Sequence, residues 1–168
     1  MQRFKPLGLF LGMAVALVAT ASSAQDGSTR KGVTWAKYAH KNGVDWVYCH
    51  NDRSGSCDAY AGDTNCSTRL PVLCLKKDGA PVPSGVDVNF YHGWAAGNIA
   101  LTHAVRGDSM RSLAEANAVC RSQLGPGYEV AEHHDGGGGW GWQAYGNIDD
   151  TTRFWVHVKN QPSACWQP

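Results

Sequence analysis

The longest apolar run lies near the start of the chain. Residues 7–20 (LGLFLGMAVALVAT) follow the cations Arg3 and Lys5, and Ser22-Ser23-Ala24 then places small residues ahead of Gln25. This order predicts a secretory leader over residues 1–24, in a run too short for a spanning helix. No later segment approaches a membrane span, so the expected product is not inserted in a membrane. Beyond a polar tail at 25–32 the hydrophobic spacing is mostly short. Strands are predicted over 45–49 (DWVYC), 70–75 (LPVLCL), 86–94 (VDVNFYHGW) and 98–105 (NIALTHAV). Pro71 places the second near a strand start or an edge. In the fourth, Ile99, Leu101 and His103 share a face at period two. A further strand begins at 128–131 (YEVA). The last, over 153–159, alternates Phe154, Val156 and Val158 against Arg153, Trp155, His157 and Lys159.

One segment has helical spacing. Ser112-Leu-Ala-Glu115 matches the capping box S-x-x-E, and Leu113, Ala116, Cys120 and Leu124 follow as one apolar stripe until Gly125-Pro-Gly127 stops it. Cys120 is thus expected to face the core. The sum is an α+β fold: one main helix packed on a small antiparallel sheet with long loops. The Pro- and Gly-rich stretch 76–85 is the best internal boundary. It divides a cysteine-rich segment, 25–85, from a core at 86–168; the alternative is one continuous domain over 33–168.

Cysteine usage sets the compartment. Cys49, Cys57, Cys66, Cys74, Cys120 and Cys165 all lie after the leader. An even count in an exported chain implies disulfides and a secreted or periplasmic location. Intervals of 8, 9 and 8 in the first four are not those of zinc sites, and there is no C-x-x-C redox motif. Six cysteines allow 15 connectivities, and spacing does not choose among them. The simplest division puts two local bridges in the first cluster and a long one between Cys120 and Cys165.

The part from Ser112 to Cys165 resembles the C-type lectin-like domain. The matching parts are the capped helix Ser112–Glu115 with Ala116 and Cys120, the turn Gly125-Pro-Gly-Tyr128, the long loop 133–150, the aromatic run Phe154-Trp155-Val156 and the final Cys165. That resemblance implies a lectin-like frame and a Cys120–Cys165 bond. The calcium and sugar triplets of the family, E-P-N or Q-P-D and W-N-D, do not occur; Gln161-Pro162-Ser163 only approaches one. Calcium-dependent sugar binding is therefore not implied. The chain as a whole is similar to small exported bacterial proteins with a C-x-x-Y-x-G-D-T-x-C segment, here Cys57 to Cys66, and an R-F-W-V ending. Some of these carry a flagellar hook-length-control label, but this chain lacks the long Pro/Gln-rich ruler which that role implies.

Charge narrows the partners. The chain carries 15 basic and 14 acidic residues, and the leader holds two of the basic ones, so the remainder is close to neutral. No basic patch points to nucleic acid or anionic lipid. The densest polar chemistry is Glu132-His133-His134-Asp135, followed by four glycines, Trp140-Gly-Trp142 and Tyr145. Adjacent histidines in a strand would point to opposite faces, leaving at most one for a given site. The glycines would admit a neighbouring backbone or a ligand. The expected ligand-binding residues are His134, Asp135, Trp140, Trp142 and Tyr145, presenting aromatic faces to a glycan or to a protein surface. No cofactor is implied and no nucleophile motif occurs. The leading reading is an exported binding module. The alternatives are a metal-dependent enzyme using His133, His134 and Asp135, and a structural component of a surface or appendage.

Overall fold

The computed structural model describes Met1 and residues 30–49 and 57–167. Apart from Met1, the expected leader lies outside the described residues. Eleven strands are formed among the described residues: β1 (Lys31–Gly32), β2 (Thr34–Lys41), β3 (Val44–Tyr48), β4 (Thr64–Asn65), β5 (Arg69–Leu70), β6 (Leu73–Lys77), β7 (Gly93–Leu101), β8 (Val105–Arg106), β9 (Glu129–Val130), β10 (Gly141–Tyr145) and β11 (Phe154–Trp155). There is one α-helix among the described residues, α1 (Leu113–Leu124), preceded by a 3-10 turn at Gly107–Ser109.

Seven strands make the main sheet in the order β11-β2-β3-β10-β7-β6-β9. Every neighbouring pair is antiparallel except β10 and β7, so the sheet is mixed. β2 and β3 form a hairpin whose turn, Asn42-Gly43, has positive φ at both residues (53° and 77°). Asn-Gly suits this turn because both tolerate the left-handed region that a two-residue hairpin needs. At the sheet's ends, Trp155 bridges Val72 and His157 bridges Glu132. The strand at one edge thus meets the segments flanking β6 and β9 at the other, and the sheet curls toward closure.

Side-chain alternation sorts the core into two layers. Leu73, Leu75, Phe154, Val156, Ala131, Trp142 and Trp35 fill the inside of the curl. Cys74, Trp155 and Val130, one residue out of step, point outward and pack with Ala116, Cys120, Met110 and Trp166. The helix lies over this second layer through Ala116 and Cys120; it starts where Ser112 Oγ accepts from Glu115 N (3.2 Å) and ends at Gly125, at φ 100°. Only half of the capping box forms: the Glu115 carboxylate accepts from Arg111 N rather than from Ser112. Ala116 and Cys120 are buried as the stripe predicts, whereas Leu113 is exposed at the mouth of a cleft.

Several expectations are corrected. Cys120 bonds Cys74, and Cys165 bonds Cys66; Cys49–Cys57 is the one local bridge. The pairing implied by the lectin resemblance is therefore not formed, because the outward side of β6, not the C-terminus, faces the helix. Residues 86–92 are not a strand: Asn89 Oδ1 accepts from Tyr91 N and His92 N, closing a turn that leaves Phe90 and Tyr91 exposed. The strand expected over 98–105 starts earlier, at Gly93, and ends at Leu101, and His103 is exposed. The late strand is regular only at 154–155 and continues through single bridges. The main sheet interleaves strands from both sides of the 76–85 linker.

Candidate functional site

Residues 132–136 form a turn rather than a strand. Glu132 N donates to Asp135 Oδ2 (2.6 Å), Asp135 N donates to Glu132 O (3.0 Å), and Gly137 N donates to His134 O (2.8 Å). In a turn, successive side chains do not alternate across a plane, so both histidines reach one side. Their ring centroids are 4.8 Å apart, which corrects the expectation that only one would join a site.

Glu132 organises the turn, and sequence reasoning gave it no specific role. One carboxylate oxygen accepts from His134 Nδ1 (2.8 Å) and Lys159 N (3.1 Å), the other from His134 N (2.7 Å). Burial raises the Glu132 pKa, but these hydrogen bonds, led by His134, outweigh it and hold the group below its ordinary value. His133 is more deeply placed, at 6% exposure. Its ring meets Trp35 edge-on (5.1 Å) and Trp140 edge-on (5.5 Å). Burial, with help from His134, lowers its pKa against the opposing pull of Glu132 and the Gly139 backbone. His133 Nδ1 has no hydrogen-bond partner among the described residues.

His133 and His134 line a cleft of ≈ 410 Å³ bounded by Tyr60, Phe90 and Trp140, with Asn160 and Gln161 also in its wall. Trp140 is 37% exposed, Tyr60 61% and Phe90 66%. Tyr60 and Trp140 stand at 68° with centroids 6.2 Å apart, forming a corner. The glycine tract explains how Phe90 arrives there. A Cβ on Gly138 would overlap the Phe90 ring, and one on Gly139 its carbonyl oxygen. The close approach expected of these glycines is that of the 89–92 turn.

The other expected residues go elsewhere. Trp142 is fully buried in the inner core and donates Nε1–H to Glu132 O (3.2 Å), so it offers no face to a ligand. It lies on β10, inside a region read from sequence as loop, because β3 and β7 pair with it on both sides. Tyr145 ends the same strand on the outer face, against Trp94, with Oη donating to Pro81 O (3.3 Å). Asp135 turns away into a second cleft of ≈ 450 Å³ beside the helix, paired with Lys77 (2.9 Å). Burial raises its pKa despite Lys77 and the Glu132 backbone. Of the five expected residues, only His134 and Trp140 meet in one cleft. Tyr60 and Phe90 were missed, because only the Cys49–Cys57 bridge and the 89–92 turn bring them there.

No group of three or more His, Cys, Asp or Glu side chains converges in metal-holding geometry among the described residues. Glu132–His134 has the form of an orienting carboxylate–imidazole pair, but the described cleft wall supplies no serine, threonine or cysteine for it to activate. No family model, curated protein or solved structure matches the chain. Three disulfides suit an oxidising extracellular or periplasmic setting. No helix among the described residues is long and apolar enough to cross a membrane.

Proposed function

We propose that this protein is an exported, disulfide-stabilised binding module whose ligand enters the cleft of Tyr60, Phe90 and Trp140. One observation carries the reading: three large aromatic side chains are exposed around one concavity that His133 and His134 also line. Exposing apolar rings costs free energy in water, and grouping them around a polar floor is the composition of a small-ligand site. A C-type lectin-like frame is supported by the capped helix and the aromatic run at 154–156. The bond between Cys74 and Cys120 speaks against it, and the binding reading does not depend on it.

The test is chemical-shift mapping of the tryptophan indole N–H signals during titration with saccharide and peptide libraries. A true ligand moves Trp140 and leaves the core residue Trp35 in place. A ligand that binds without moving Trp140, or the failure of every library to bind, overturns the assignment.

A further inference from the structure

We propose that the Trp140 cleft selects the uncharged ring of a neutral saccharide and rejects anionic sugars and charged peptide segments. This rests on the binding-module reading and gives its site a ligand class. The first argument is charge. The described wall of the cleft holds no lysine, arginine, aspartate or glutamate. The acidic residues of the adjoining turn are spent elsewhere: Glu132 on His134 and Lys159 N, Asp135 on Lys77 in the other cleft. A charged ligand would lose its hydration here with only His134, already paired with Glu132, to face it.

The second argument is shape. Tyr60 and Trp140 meet at a steep angle, so one ring offers a face while the other bounds an edge. A pyranose ring has one face rich in C–H groups, which suits an indole face, and a rim of hydroxyls. The third is the polar complement. His134, Asn160 and Gln161 bring planar donors and acceptors to the cleft. A hydroxyl both donates and accepts, so it can pair with either kind of group there. His133 also lines the wall, but its Nδ1 is closed to solvent and is not a contact for a ligand.

The experiment uses the full disulfide-bonded protein with EDTA present. Neutral disaccharides of glucose, galactose, mannose and N-acetylglucosamine are titrated alongside matched uronate and sulfated sugars, with a charged peptide library as a separate arm. At least one neutral sugar should bind and move the Trp140 indole signal, with its anionic counterpart about tenfold weaker or worse. Trp140→Ala, checked for folding by near-UV circular dichroism, should weaken binding about tenfold. Monodeoxy analogues test the polar groups His134, Asn160 and Gln161: removal of one particular hydroxyl should cost about tenfold while its neighbours cost less. Equal or tighter binding of the anionic sugars overturns the proposal, as does neutral binding that Trp140→Ala leaves intact. Equal binding of every deoxy analogue overturns the polar part of the proposal. If only peptides move Trp140, the saccharide proposal fails and the binding-module reading stands; if nothing does, both fail.

Discussion

Cys74 on β6 is bonded to Cys120 in the middle of α1, with Cα atoms 5.8 Å apart across 46 residues of sequence. The bond joins the only described helix to the outward side of the sheet, where Val130 and Trp155 complete the layer. Cys66–Cys165 does the same for the C-terminus, closing 99 residues.

Peptide mapping under non-reducing conditions should recover Cys49–Cys57, Cys66–Cys165 and Cys74–Cys120. A Cys120–Cys165 peptide would contradict this topology. Replacing Cys74 and Cys120 together by alanine should lower unfolding stability by about 2–4 kcal/mol, read from urea denaturation.

Asp45 is fully buried. It accepts from Lys37 Nζ (2.9 Å), His40 Nδ1 (2.7 Å) and Ile148 N (2.7 Å), while Lys37 Nζ also donates to Ile148 O (2.8 Å). The carboxylate thereby ties the β2–β3 hairpin to the loop after β10. Asp45→Ala should cost about 3–5 kcal/mol, since it removes the buried carboxylate that pairs with Lys37 and accepts from His40 and Ile148 N. Retention of wild-type urea stability would show that the cluster is dispensable.

The glycines of the tract are not equivalent. A Cβ on Gly136 would overlap Trp142 and the Gly93 backbone, whereas one on Gly137, at φ 93°, meets open space. Gly136→Ala should therefore destabilise by about 2–3 kcal/mol or more, and Gly137→Ala by about 1–2 kcal/mol from backbone strain alone. Equal losses in thermal or urea unfolding would contradict this packing.

Acid should weaken the fold in a defined order. His133 and His157 both have pKa values lowered, chiefly by burial. Lys159 adds to the lowering at His157, while Glu132 and Asp135 oppose it. A histidine held neutral in the folded state binds fewer protons than in the unfolded chain. Its stabilising contribution is thus complete above the unfolded value near 6.5 and declines as pH falls below it. Glu132, with a lowered pKa, adds a loss below about 4.5, while Asp135, raised by burial, acts in the opposite sense. The melting temperature should fall between pH 7 and pH 5, and His133→Phe should flatten that slope. A flat profile in the parent protein would contradict the buried neutral imidazoles.

Much of the frame was legible locally. Ser112 and Glu115 marked the helix start, Gly125 its end, and the period of Ala116 and Cys120 its buried side, because capping and amphipathicity act within a few residues. The alternation of Phe154, Trp155 and Val156 was equally readable, although both sides prove to be buried. β10 was not legible: Gly141-Trp142-Gln143-Ala144-Tyr145 looks like loop until β3 and β7 supply hydrogen-bond partners on either side. The candidate site was half legible. His134 and Trp140 stand within one segment of sequence, whereas Tyr60 and Phe90 come from distant loops.

The six cysteines show the same division. Their even number, with none in residues 1–24, pointed to an oxidised and stapled chain, because thiol chemistry follows the compartment. Which sulfurs meet was decided only in three dimensions. The curl of the sheet turns Cys74 outward to α1 and brings the C-terminal segment to Cys66. Pairing depends on side-chain direction across long loops, and residue order alone carries no record of that direction.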